Sequence, residues 1–153
     1  MIVYVVGGYN EAMGPLNLVE SFSMEQRTWK KHSQMNVERI NPGCCTFGHN
    51  YVYVFGGRGT NPKDEFYDSI ERLNTDLNLW SFIKVRLPSK LCNLYAFPVK
   101  NDYILILGGL KKVTVEPVQE DTGSSSQREK ILSKNITSLQ REQQVDRNVY
   151  LYS

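Results

Sequence analysis

Five consecutive apolar residues run into a glycine pair three times in this 153-residue chain. Ile2–Val6 leads into Gly7-Gly8, Tyr51–Phe55 into Gly56-Gly57 and Tyr103–Leu107 into Gly108-Gly109, a return about every fifty residues. A run of that length suits a strand covered on both faces. The glycines end it and allow positive φ or a close backbone approach, where a Cβ would clash. A chain built this way is confined to stacking small, similar β units side by side.

The remainder of each repeat keeps the same register. Thirteen residues separate Gly8 from Phe22, and six more lead to Trp29; fifteen separate Gly57 from Leu73, and six more lead to Trp80. Ser23–Thr28 and Asn74–Leu79 are rich in turn-forming residues. A repeat of ~40–50 residues made of short apolar strands is the signature of a β-propeller.

Double glycine, then an aromatic or aliphatic position, then Trp seven residues on, resembles the kelch motif. The resemblance covers all but the segment 110–148, and departs from the family where Leu73 replaces its usual Tyr. It implies an all-β fold of four-stranded antiparallel blades, strands A to D, with A innermost. Residues 1–38 then form strands B–D of one blade, 39–90 a complete blade, and 91–153 strands A–C of a third with a polar insertion at 110–148. Thr46 and Pro98 take equivalent places on strand A, an edge position where a proline is tolerated. Trp29 and Trp80 open the outer strands and are expected to wedge each blade against its neighbour. A closed propeller takes four to eight blades, so this is an incomplete one. It is expected to be a piece of a longer propeller, a split half, or half of a six-bladed pair. Alone, it should aggregate or self-associate through its open flanks.

Composition limits the function classes. A net charge of +2 gives no footprint for nucleic acid. No run of ~18 apolar residues argues for a membrane span, and Met1–Val6 is too short and lacks the basic flank of a secretion signal. These features point to the cytoplasm, with a cytoskeletal association among the settings that the resemblance implies. Cys44, Cys45 and Cys92 form no C-x-x-C pair, and the two histidines, His32 and His49, have no ligand spacing. No metal site, cofactor or catalytic motif is expected.

From Val113 to Asn148 there is no aromatic residue, and such a polar composition is expected to form a flexible insertion. Ser126-Gln127-Arg128-Glu129 nevertheless matches a capping box. Leu132, Ile136 and Leu139 follow on one helical face, a stripe that could dock in a partner's groove.

The function expected is that of a protein-interaction scaffold, with partners of unknown identity and with further blades from the same or another chain. Strand alternation sends the B–C loops and the D–A links to one rim, and long loops on a rigid scaffold are where recognition concentrates. In kelch propellers this rim holds partner peptides with Arg, Asn and Ser side chains. Asn10, Glu11, Arg39, Asn41, Arg58, Asn61, Lys90 and Asn93 are the candidates here. The alternative is part of a kelch-like enzyme, such as galactose oxidase or the sialic-acid mutarotases, whose site draws on several blades.

Overall fold

The computed structural model describes residues 1–59, 66–100 and 103–111, and the backbone of 149–152. The chain divides into two compact units, Met1–Lys112 with Arg147–Ser153, and Val113–Asp146; the second lies outside the described residues. All regular elements among the described residues are strands. The first sheet holds β1 (Ile2–Val6), β4 (Val19–Ser23) and β5 (Thr28–Lys31). In the first B–C loop, β2 (Tyr9–Asn10) and β3 (Gly14–Pro15) form a small ribbon. The middle sheet runs in the order β6 (Gly43–Thr46), β7 (Tyr51–Phe55), β8 (Ile70–Asn74) and β9 (Leu79–Phe82). The third holds β10 (Cys92–Val99), β11 (Tyr103–Leu110) and β12 (Val149–Tyr152).

All pairings are antiparallel and their registers repeat. Val3 faces Phe22, which faces Trp29; Val52 faces Leu73, which faces Trp80. Both C–D turns carry a left-handed residue at the same place, Arg27 (φ 55°) and Asn78 (φ 51°). Asn74 Oδ1 accepts the amides of Asp76 and Leu77, so the side chain closes its turn locally. Pro98 lies on β10, at the edge of its sheet, a position where a proline is tolerated.

The core lies between sheets. One cluster joins the first and middle sheets through Val19, Met35, Val52, Val54, Leu73 and Trp80, with Tyr4 and Val6 packed against it. A second joins the middle and third sheets through Phe55, Ile70, Leu87, Leu91, Leu94, Ala96, Ile104 and Ile106. The middle apolar strand is therefore covered on both faces, as its composition demands.

The first apolar strand departs from that expectation. Val54 is 0% exposed, whereas Val5, at the same place in the repeat, is 47% exposed. Trp80 is 7% exposed and Trp29 60%. Trp80 is the wedge expected of it, with the first sheet to pack against. Trp29 is not, because no sheet among the described residues covers that face.

Each sheet is tied to the next by a strap, the D–A link. The first, 32–42, leaves β5 and pairs its backbone with the first B–C loop: Arg39 N donates to Leu16 O, and Gly8 N donates to Arg39 O at 2.8 Å. The second, 83–91, does the same one repeat later, with Leu91 N donating to Tyr67 O and Gly57 N to Leu91 O at 2.8 Å. The glycine pairs exist for this approach. At Gly56 (φ +58°), an added Cβ would sit 2.4 Å from Leu91 O, too close for any other residue.

Candidate rim site

Loops and straps meet on one rim, and the first strap crosses it by alternating roles. Its Ser33 hydroxyl donates to Asn78 O, and Ser33 O accepts from Trp80 Nε1 at 2.9 Å, which anchors its start on the middle sheet. Met35 fills the core between the sheets. Ile40 then exchanges both backbone hydrogen bonds with Arg58, and Arg58 also bridges to Phe66, so the second B–C loop grows as a continuation of the strap.

Asn41 follows in the left-handed conformation, at φ 49°. Asn93, at φ 55°, takes the same place one repeat on. Asparagine tolerates this region better than most residues because of its short polar side chain. Asn93 N, at the start of β10, donates to Asn41 O at 2.9 Å, which links the first strap to the third sheet across the rim. Both residues are exposed, as is Arg58 between them. Burial pushes the Cys92 thiol up from its ordinary pKa, and the nearby positive charge of Arg58 works in the opposite direction. Asn41, Arg58 and Asn93 thus form one exposed group of a guanidinium and two carboxamides. No ion pair of Arg58 is found among the described residues.

The other candidates lie elsewhere. Lys90 is exposed on the second strap, three residues before Asn93. Asn10 and Glu11 are exposed at the tip of the β2–β3 ribbon. Asn10 Oδ1 accepts the amides of Ala12 (2.9 Å) and Met13 (3.1 Å), so part of that side chain serves its own turn. Asn61, Leu132, Ile136 and Leu139 lie outside the described residues.

Arg39 is a correction. Expected as a rim contact, it is completely buried, and its guanidinium points into the middle sheet. Nη2 donates to Glu71 Oε1 at 2.8 Å and to Ser69 Oγ at 2.8 Å. Nη1 donates to Gly56 O at 2.6 Å and to Ser69 O at 3.2 Å, and Nε donates to Glu71 Oε1 at 3.1 Å. Glu71 Oε2 accepts both the backbone and side-chain N–H of Asn36, each at 2.8 Å. The ring of Tyr67 lies 5.5 Å from the guanidinium carbon. Buried charge is tolerable here because every partner is present. Backbone of Arg39 holds the first sheet and its side chain holds the middle one. Its role is to join blades.

Glu71, Ser69 and Asn36 were not anticipated. One signal for Glu71 is present in the sequence: a glutamate two residues before the Phe22/Leu73 position occurs in both early repeats, as Glu20 and Glu71. Among the described residues, no group of three or more His, Cys, Asp or Glu side chains could hold a metal ion, and no helix is long and apolar enough to cross a membrane. Burial and the neighbouring Cys44 push the Cys45 thiol up to about 12, so it is unreactive at neutral pH.

Repeated antiparallel sheets stacked face to face through straps define a partial β-propeller. The solved structure of YjhT has the same fold, with a TM-score of 0.59 and 17% identity over 72% of this chain and 32% of that one. The family model for the kelch motif matches residues 2–36. The chain is 43% identical to Kelch repeat and BTB domain-containing protein 1 of Cowpox virus (strain Brighton Red) over 58 residues, 36% of this chain and 10% of that protein. The Camelpox virus (strain CMS) protein of the same name is 41% identical over 67% of this chain and 18% of its own length. Kelch-like protein 23 of Homo sapiens is 29% identical over 73% of this chain and 19% of its own length. The chain is a partial kelch-repeat array of about three repeats, and it spans less than a fifth of the length of each of these relatives.

Proposed function

We propose that this chain is a protein-interaction module that binds partners through the rim carrying its B–C loops and D–A straps. Asn41, Arg58 and Asn93 are its centre. The observation that carries the reading is the convergence of these three exposed residues from the first strap, the second B–C loop and the start of β10. Backbone bonds between Ile40 and Arg58, and between Asn93 and Asn41, hold them in place. Such pre-organisation lowers the entropy lost on binding. A guanidinium beside two carboxamides suits a peptide segment that offers a carboxylate and exposed backbone groups.

Mutation of the group tests the reading. With Arg58→Glu and Asn93→Gly together, the glycine keeping the left-handed backbone, recovery of partners in pull-downs should fall by tenfold or more, with unfolding unchanged. Wild-type recovery by this variant would remove the rim from consideration.

A further inference from the structure

The first and middle sheets end in outer strands of opposite character. β5 reads Thr28-Trp29-Lys30-Lys31, and β9 reads Leu79-Trp80-Ser81-Phe82. Lysines on an edge strand deter another chain from pairing with it, and β9 has none. From Leu77 to Ile83 no residue is charged. Leu77, Leu79, Phe82 and, just beyond, Val85 are each more than half exposed. An uncovered face does not explain them, because the middle sheet packs against a neighbour on both sides.

The backbone of this edge is open as well. Among the described residues β9 pairs with β8 alone. Ile83 N donates to Ile70 O at 2.9 Å, so alternation along the ladder also turns the backbone groups of Ser81 and Leu79 inward, to Arg72 and Asn74 on β8. Trp80 and Phe82 therefore direct their backbone N–H and C=O groups outward. Outside the β8–β9 ladder, no backbone hydrogen bond of either is found among the described residues.

The strand is complementary to itself. A second β9 laid antiparallel, with Trp80 of each copy opposite Phe82 of the other, lets both residues exchange hydrogen bonds across the contact. The same register sets Ser81 against Ser81 at the two-fold axis and Leu79 against Ile83. With the axis at Trp80, Leu79 would instead meet Ser81; with the axis at Phe82, Trp80 would meet Lys84. Charge agrees with the two-fold arrangement. Asp76 and Lys84 are exposed and flank the neutral stretch at opposite ends, and Asp76 Oδ2 also accepts from Asn50 Nδ2. Antiparallel pairing brings Lys84 of each copy to the end where Asp76 of the other lies, whereas a parallel neighbour would bring like charges together.

We infer that β9 is a homodimer edge, at which two copies of this chain join their middle sheets into one continuous sheet through antiparallel β9 strands. Asn41, Arg58 and Asn93 lie on other elements, so the inference stands apart from the function proposed for them. It also differs from association through the open flanks, which would cover sheet faces and leave the β9 edge bare.

Cross-linking reads the register. The background is the full chain with Cys44→Ala, since Cys44 is the exposed thiol and Cys92 is buried. Ser81→Cys then sets a thiol opposite its own copy, with Cβ atoms about 4.5–5.5 Å apart. A mild oxidant should link most of this variant into disulfide dimers at micromolar concentration. Leu79→Cys leaves the two thiols about 13 Å apart along the strands, and should link at least about tenfold more slowly because a disulfide cannot span that distance. Phe82→Pro removes an outward N–H and should abolish the Ser81→Cys dimer while the chain stays folded. Equal rates for the two cysteines, or dimers that persist with Phe82→Pro, would overturn the inference.

Amide exchange in the unaltered chain gives the same answer should a variant fail to fold. The N–H groups of Trp80 and Phe82 should exchange severalfold more slowly as chain concentration rises. Those of Trp29 and Lys31 face outward on β5 in the same way, since His32 N donates to Val19 O at 2.9 Å, and their exchange should not change. Protection of Trp80 and Phe82 that is independent of concentration would assign the edge to another segment of the same chain. Fast exchange at both would leave the edge bare, and equal slowing on β5 would mean association without register. Each of these three results would refute the pairing.

Discussion

Replacing Arg39 with methionine keeps most of the side chain's apolar length and removes its charge. The structure sets out the consequences. Gly56 O and Ser69 O lose a donor, and Ser69 Oγ loses its partner. Glu71, completely buried, keeps only the two N–H groups of Asn36 and loses its counter-charge. Removing one member of a buried pair costs about 3–5 kcal/mol because the other is left as an uncompensated charge. Against a total stability of about 5–15 kcal/mol for a typical domain, that would unfold a substantial fraction of molecules. Arg39→Met with Glu71→Leu removes both charges and should recover a good part of the loss, so the double change costs less than the singles combined. Urea denaturation of the chain fused to a solubilising carrier measures this, with Trp80 as reporter because its indole bonds the same strap. A loss below about 1 kcal/mol for Arg39→Met, or full additivity of the two changes, would refute the role given to the pair.

Two further expectations follow from burial. Trp80→Ala should cost about 3–5 kcal/mol, whereas Trp29→Ala should cost less than about 1 kcal/mol in this chain; equal losses in urea melts would contradict the packing described. His32 titrates below its ordinary range, first through burial and then through the charge of Lys30. Its Nε2 lies 2.8 Å from Ser21 Oγ, and the side chain of Asn78 acts on it in the opposite, smaller sense. The unfolded chain therefore takes up a proton at a higher pH than the folded one, so stability is present above about pH 6.5 and declines as pH falls through that value. His32→Gln should flatten the stability profile between pH 7 and 5, and an unchanged slope would assign it to other groups.

Strands, turns and straps of this protein were legible in the sequence because each rests on local physics. Five apolar residues before a glycine pair mark each strand; β7 stops at its pair, where the next strap's carbonyl occupies the space a Cβ on Gly56 would need, whereas β11 runs on through Gly108-Gly109 to Leu110. The Asn41 and Asn93 positions could also be picked out, since both lie where a strap passes into a strand and asparagine suits the left-handed backbone found there. Arg39 could not be assigned the same way. In sequence it is one more charge in a polar link, and only the folding of that link across the middle sheet brings it to Glu71, thirty-two residues away. Trp29 and Trp80 make the same point: both occupy the same place in the repeat, one exposed and the other buried. Position in the repeat sets which surface each tryptophan presents. Whether that surface is covered depends on the neighbouring sheet, because burial belongs to a pair of packed sheets and not to either strand alone.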